Sequence, residues 1–362
     1  MTVIQDYQRI SEDALRAYTK NNTAFSKNLP GLQIAWDSHS YGTFLECPRK
    51  YFYSIIIGYQ TKTPQVHLLW GLAYHECLEK YDKARSEGMS YEDATRIAVR
   101  HALLVSGSHV QSTSTICKDC AYEFDEPSEI CPACASEKLD KTPRKKWYPW
   151  NFHDQNKTRF NLVRSIVWYL DQFKENDLKT VQLSNGKPAV EYSFQMDLDI
   201  KAATGEQYIY CGHLDRVVEY GAGYYIVDRK TSKNTITKKY FEQYSPDTQM
   251  SGYAAAGRIV LDKPLAGVLI DAVQVAVTFS RFQRGFAPRT AGLLDEWLGN
   301  LGFWLEYAEH CARKRHWPMN DKSCSHYGGC PFQGVCSRDP SVRQRFLNAD
   351  FTRQIWDPLI QR

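Results

Sequence analysis

The chain has 362 residues, a formal net charge of +4 and 43% apolar residues, enough to bury a full core in one large domain or two small ones. No run approaches the roughly 18 apolar residues of a membrane span, and residues 1–10 are too polar for a signal peptide, so a reducing, cytoplasmic location is expected. The charge is too small to identify a nucleic-acid binder, and in a reducing compartment the eleven cysteines point to metal sites rather than disulfides.

In chain order, residues 1–30 read as a loosely ordered polar lead-in. A helix over 45–57 would turn Tyr51, Phe52, Ile55 and Ile56 to the core. Residues 66–105 read as helical and 115–140 as a cysteine-rich insertion. A further amphipathic helix over 156–178 is carried by Phe160, Val163, Ile166, Val167 and Leu170. Strands are expected at about 188–199, 207–219 and 223–230, a helix at 246–259, strands at 266–271 and 273–282, and a helix at 290–314. The class is α/β, a small mixed central sheet flanked by helices. Its division is a lead-in (1–30), a helical part (31–114), the insertion (115–140), a core (141–316) and a cysteine-bearing end (317–362). There is no internal repeat and no low-complexity segment.

The most informative stretch is Tyr224-Tyr225-Ile226-Val227-Asp228-Arg229-Lys230-Thr231. In a strand Asp228 and Lys230 point to one side. A turn over 220–223 would fold this strand back on Gly212-His213-Leu214-Asp215, bringing Asp215 to Asp228. Two carboxylates and a lysine are the minimum for metal-assisted phosphodiester hydrolysis. The acids suit Mg²⁺ or Mn²⁺, and the lysine offsets charge on the phosphate and positions water. The alternative is an exposed hairpin with a salt bridge. Upstream, Gly71, His75 and Glu79 share a helix face; downstream, Gln249 and Tyr253 lie one turn apart.

Taken together, Gly71-x3-His75-x2-Leu78-Glu79, Gly212-x2-Asp215, Asp228-x-Lys230-Thr231 and Gln249-x3-Tyr253 resemble, in content and order, the RecB-like branch of the PD-(D/E)XK nuclease superfamily. The resemblance runs from about residue 40 to about residue 340 and implies a restriction-endonuclease-like fold. It implies that His75, Asp215, Asp228 and the Arg229 carbonyl hold the metal, that Lys230 is the catalytic lysine, and that Gln249 and Tyr253 contact DNA near the scissile phosphate. An aromatic or aliphatic residue often stands where Arg229 does. Glu191, on the expected first strand, corresponds to an acid near the active site in that family; a solvent-facing strand residue is the other reading.

Cys117-x2-Cys120-x10-Cys131-x2-Cys134 has the spacing of a tetrahedral zinc ribbon. Cys324-x5-Cys330-x5-Cys336 leaves a site one thiolate short, and Cys47 is the candidate fourth ligand. One early cysteine followed by three late ones resembles the iron–sulfur staple of AddB-type and CRISPR-adaptation nucleases, which implies a [4Fe–4S] cluster; zinc in the same thiolates is the alternative. Cys77, Cys211 and Cys311 read as buried small hydrophobes.

Basic residues interleaved with aromatics at 141–150, with Arg144, Lys145, Lys146 and Trp147 as candidates, suit phosphate tracking and base stacking, as does Lys233 beyond the catalytic strand; a solvated linker is the alternative. The expectation is a deoxyribonuclease acting on single strands or DNA ends in recombination, repair, replication or mobile-element processing, leaving a 5′-phosphate as the resemblance implies. No G-x4-G-K-[ST] is present, so a helicase or recombination partner would be a separate protein. The alternative function is a catalytically silent module that holds DNA for a partner helicase or integrase.

Overall fold

The computed structural model describes residues 10–62, 65–106, 110–112, 115–119, 123–124, 128–132, 135–141, 144–146, 154–175, 178–261 and 263–360. The chain opens with helix α1 (Glu12–Thr19), strand β1 (Ala35–Trp36), α2 (Ser38–Glu46), α3 (Pro48–Tyr51), a π-helical turn, and β2 (Tyr59–Thr61). The expected single helix over 45–57 is broken. Cys47 precedes Pro48 and is forced extended (φ −163°, ψ 112°), and the helix restarts with Pro48 in its first turn. The described part of the lead-in is not loose: Leu15, Ala24 and Phe25 are all in the main core.

Helices α4 (Val66–Ser86) and α5 (Tyr91–Val105) follow. The short strands β3 (Val110–Ser112), β4 (Thr115–Cys117), β5 (Glu123–Phe124), β6 (Leu139–Asp140) and β7 (Arg144–Lys146) come next, then α6 (Arg159–Gln172). α6 is shorter than its expected 156–178, and Phe160 and Val167 are exposed while Ile166 and Leu170 are buried.

The central sheet is built from β1, β8 (Lys179–Thr180), β9 (Val190–Lys201), β10 (Gln207–Tyr220), β11 (Gly223–Ser232), β12 (Leu265–Val275) and β13 (Ser280–Pro288). The first half of β10 lies between antiparallel β9 and parallel β1; its second half lies between β8 and β11, both antiparallel. β11 and β12 run parallel, and β13 closes that side antiparallel to β12. The β-branched run expected to start a strand at 273 instead ends one. A turn closed by the Ala276 N–H to Phe279 O separates β12 from β13 without glycine or proline to announce it.

Between β11 and β12 the chain forms α7 (Lys238–Glu242) and α8 (Thr248–Val260), and after β13 the long α9 (Ala291–Lys314). Strand alternation splits β12 between two cores. Val268, Ile270 and Ala272 pack in the main core with α8 and α9; Val273 and Val275 pack with Trp70, Tyr74 and Leu78 of α4 and with α6. Helices thus cover both faces of a mixed sheet, the expected α/β class. The chain finishes with α10 (Gln333–Cys336), α11 (Arg343–Asp350) and β14 (Phe351–Arg353), which pairs antiparallel with β2. Among the described residues no helix is long and apolar enough to cross a membrane.

Candidate active site

The β10–β11 hairpin has the register Arg216↔Val227, so Asp215 stands next to the end of β11 that carries the D-x-K residues. The Arg229 backbone N–H donates to Asp215 Oδ2 at 2.9 Å. From α4, His75 Nδ1 comes within 3.3 Å of the same oxygen. Burial alone would raise the Asp215 carboxyl; the His75 ring and the Arg229 N–H outweigh it and hold the group well below the usual range. Burial likewise opposes the charged form of His75, and Asp215 reverses it, so the imidazole is raised.

Asp228 is 3% exposed. Burial raises its carboxyl to about 6, against the pull of Lys230 and with the push of Asp215. Lys230 Nζ lies 2.9 Å from Asp228 Oδ2 and donates to Oδ1 at 3.2 Å. The closer approach lacks hydrogen-bond alignment, so Asp228 Oδ2 is a buried carboxylate oxygen left without a hydrogen bond. An unsatisfied, anionic oxygen beside a second carboxylate fits a hard divalent cation. Among the described residues, however, no three His, Cys, Asp or Glu side chains stand together as a ready-made metal cage. His75 is turned to Asp215 and Lys230 to Asp228 instead.

Helix α8 supplies the rest. Asp247 caps it, accepting the Met250 N–H at 2.9 Å. Gln249 Oε1 accepts from Lys230 Nζ at 2.8 Å, and Gln249 Nε2 donates to the Tyr253 hydroxyl at 3.1 Å. Burial, reinforced by Asp228 and Asp215, raises the Tyr253 phenol and keeps it a donor. Gly252 lets α8 close on the sheet: a Cβ there would overlap the buried Tyr210 hydroxyl. The structure therefore brings His75, Asp215, Asp228, Lys230, Gln249 and Tyr253 to one place.

Glu191 is buried and adopts a left-handed φ of 49°, one residue before the registered pair Tyr192↔Leu214, on the strand beside Asp215. Lys233 is exposed just past β11. Arg144, Lys145 and Lys146 form β7, paired with β3, and Trp147 lies outside the described residues.

Sequence reasoning missed a buried ionic knot behind the site. Arg229 points away from Asp228 and Lys230, and its guanidinium donates to Asp82 of α4. Arg216 Nη1 is 3.0 Å from the other Asp82 oxygen. The signal was available: Asp82 follows His75 by two helical turns on the same face, and a charged residue inside an apolar strand needs a partner.

The chain matches the model of the PD-(D/E)XK nuclease superfamily over residues 38–337. It belongs to that superfamily. Membership supports a nuclease, a phosphodiester hydrolase in general, and the mixed sheet fits a restriction-endonuclease-like fold. No curated protein shows a significant match to the chain.

Among the described residues the cysteines of the two expected sets form no group of three or more metal-ligating side chains. Asn320 donates its backbone N–H to Cys47 Sγ at 3.3 Å and its side-chain amide to Glu46 O at 2.8 Å, tying the two ends of the set together. Burial raises the Cys336 thiol to about 11, with Cys330 and Cys47 adding to it; burial also raises Cys330, which feels Cys324 and Cys47. Cys47 and Cys324 both meet Asn320, but the four thiols do not stand together as a ready-made metal site. Cys117 and Cys131 are buried together against Leu139 and Ile355. Ala135 turns back with φ 59°, donating its N–H to Cys131 O at 2.8 Å, and the Ser136 hydroxyl donates to Asp119 at 2.7 Å. Cys120 and Cys134 lie outside the described residues. Cys77, Cys211 and Cys311 are buried, as expected of small hydrophobes.

Proposed function

We propose that this chain is a divalent-metal-dependent deoxyribonuclease acting on single-stranded DNA or DNA ends. The observation that carries the reading is the convergence of Asp215, Asp228 and Lys230 with Gln249, supported by membership of the superfamily. Asp215 and Asp228, with His75 and the Arg229 carbonyl, are the residues that would hold Mg²⁺ or Mn²⁺, with Glu191 nearby. When bound, the ion polarises the phosphoryl oxygen and makes water a better nucleophile. Lys230, kept protonated by Asp228 despite its burial, places positive charge where the phosphate gains negative charge. Gln249 fixes the ammonium so that little reorganisation is needed in the transition state. Tyr253 donates toward the substrate backbone.

The same reading assigns Cys47, Cys324, Cys330 and Cys336 to a [4Fe–4S] cluster and Cys117, Cys120, Cys131 and Cys134 to zinc. It gives Arg144, Lys145, Lys146, Trp147 and Lys233 to DNA contacts. The biological setting is recombination, repair, replication or mobile-element processing, beside a separate helicase or recombination protein.

Anaerobically purified protein is incubated with Mg²⁺ or Mn²⁺ and end-labelled single-stranded DNA, beside Lys230→Ala. Metal-dependent degradation by the wild type alone is the expected result. Tight binding by both proteins without cleavage would replace the enzyme with a DNA-holding module.

A further inference from the structure

A cleft of about 380 Å³ opens directly off the proposed reaction centre, because Asp215 and Tyr253 line it. It extends along β10 past His213, which lies on the same strand face as Asp215 two residues on. The His213 ring is held by Ser193 Oγ at 2.9 Å. A second hollow of about 190 Å³ continues past Ser193 and shares His213 with the first. The far wall is the segment 354–360, with Trp356 and Asp357 facing the cleft.

That wall is built rather than draped. β14 pairs with β2 just before it, and the Gln354 N–H continues the ladder to Gly58 O at 2.7 Å. The Asn22 side-chain amide donates to the Trp356 carbonyl at 2.6 Å. Ile355 packs against Cys117 and Cys131, and the Trp356 ring lies 4.7 Å from that of His39.

The chemistry of the lining selects the occupant. Among the described residues no lysine or arginine lines the cleft, whereas Asp37, Asp215 and Asp357 do. Away from Asp215, which the nuclease reading gives to the metal, a phosphate would meet the carboxylates of Asp37 and Asp357 and no lysine or arginine. A flat, uncharged group with N–H donors meets an indole, a phenol and carboxylate acceptors. Asp37 spends one contact capping α2 and Asp357 one on the Leu359 N–H, which leaves lone pairs on both.

We infer that this cleft takes an unpaired nucleobase next to the scissile phosphate, stacked on Trp356 and preferred when it carries an exocyclic amine. The inference rests on the nuclease reading of Asp215, Asp228 and Lys230. A base in a duplex has its Watson–Crick edge engaged and cannot present it to the carboxylates, so the cleft favours single strands and frayed ends.

The test is an abasic scan along an otherwise uniform single strand, with steady-state cleavage by the full protein. One abasic position beside the cleaved bond should raise KM roughly tenfold or more while kcat changes little, since base–aromatic stacking is of that order. Trp356→Ala should raise KM on the intact strand by the same factor and become indifferent to the abasic site; Trp356→Phe should restore most of the loss. Asp357→Leu, which removes the acceptor, should lose the preference for adenine over thymine but still distinguish a base from no base. A flat scan in the wild type, or equal abasic sensitivity in Trp356→Ala, would overturn the assignment. Should neither metal support cleavage, 2-aminopurine strands separate the two claims. Quenching by wild type and not by Trp356→Ala keeps the cleft while the enzyme reading fails; equal signals sink the cleft.

Discussion

Arg229 and Asp82 form a buried ion pair that ties strand β11 to the helix carrying His75. Both residues are 2% exposed, and Asp82 also holds Arg216. Removing one partner of such a pair typically costs about 3–5 kcal/mol, because the charge left behind is buried and unpaired. Asp82→Ala strands two guanidiniums, whereas Arg229→Met leaves Asp82 paired with Arg216. Urea denaturation should therefore show Asp82→Ala as the more destabilised protein. The reverse order would mean that Arg216 finds another partner and that Asp82 is not the centre of the knot.

Gly252 sits between the two residues of α8 that reach the active site. A methyl group there meets the Tyr210 hydroxyl, which is buried and has no hydrogen-bond partner among the described residues. Gly252→Ala should lose about 1–3 kcal/mol by overpacking. Tyr210→Phe removes an unsatisfied group and should be close to neutral. The double variant should recover part of the loss, measured as the shift in thermal midpoint. Strict additivity would show that the two groups do not touch.

Lys157 is a buried ammonium with no hydrogen-bond partner among the described residues, 4.2 Å above the Trp70 ring. Burial lowers it from 10.5 to about 8, only partly offset by Asp154. Because the folded value is the lower one, the unfolded chain binds more protons between these values. Stability should thus rise from about pH 8 to pH 10.5 and be flat with respect to this group below pH 8. Lys157→Met should abolish that rise and add on the order of 1–2 kcal/mol at pH 7. An unchanged pH slope in chemical denaturation would show that the ammonium reaches water.

Metal content separates the two cysteine sets. Anaerobic wild-type protein should be brown and contain iron as well as zinc. Cys330→Ala should lose the colour and the iron, keep the zinc, and melt at a lower temperature. Cys117→Ala should lose zinc alone. A colourless wild type with two equivalents of zinc would assign zinc to both sets.

The meeting of Asp215, Asp228 and Lys230 was legible because those residues lie close in sequence. Asp228, Lys230 and the turn that returns Asp215 are local, and strand alternation does the rest. Gln249 and Tyr253 were readable for the same reason, one turn apart on a helix. The break at Cys47 was also written locally, in the proline that follows it, but apolar periodicity masked it. The knot at Asp82 and the wall at Trp356 were less visible because they depend on partners far away in the chain. Asp82 meets Arg229 147 positions later, and Asn22 meets the Trp356 carbonyl 334 positions later. Phe160, read as core from helical spacing, is 70% exposed, since spacing defines a face without saying how wide a stripe is covered.

The pairing of β14 with β2 joins residues about three hundred positions apart, and long-range closures of this kind are slow steps in folding. During synthesis every residue of the D-x-K strand, and helix α8 after it, leaves the ribosome before residues 351–356 exist. The nascent chain can assemble its acids and its lysine early, while one side of the cleft must wait for the last strand to dock. Order of synthesis thus sets an order of competence: the groups proposed to break the bond come first, and the surface proposed to choose the base comes last.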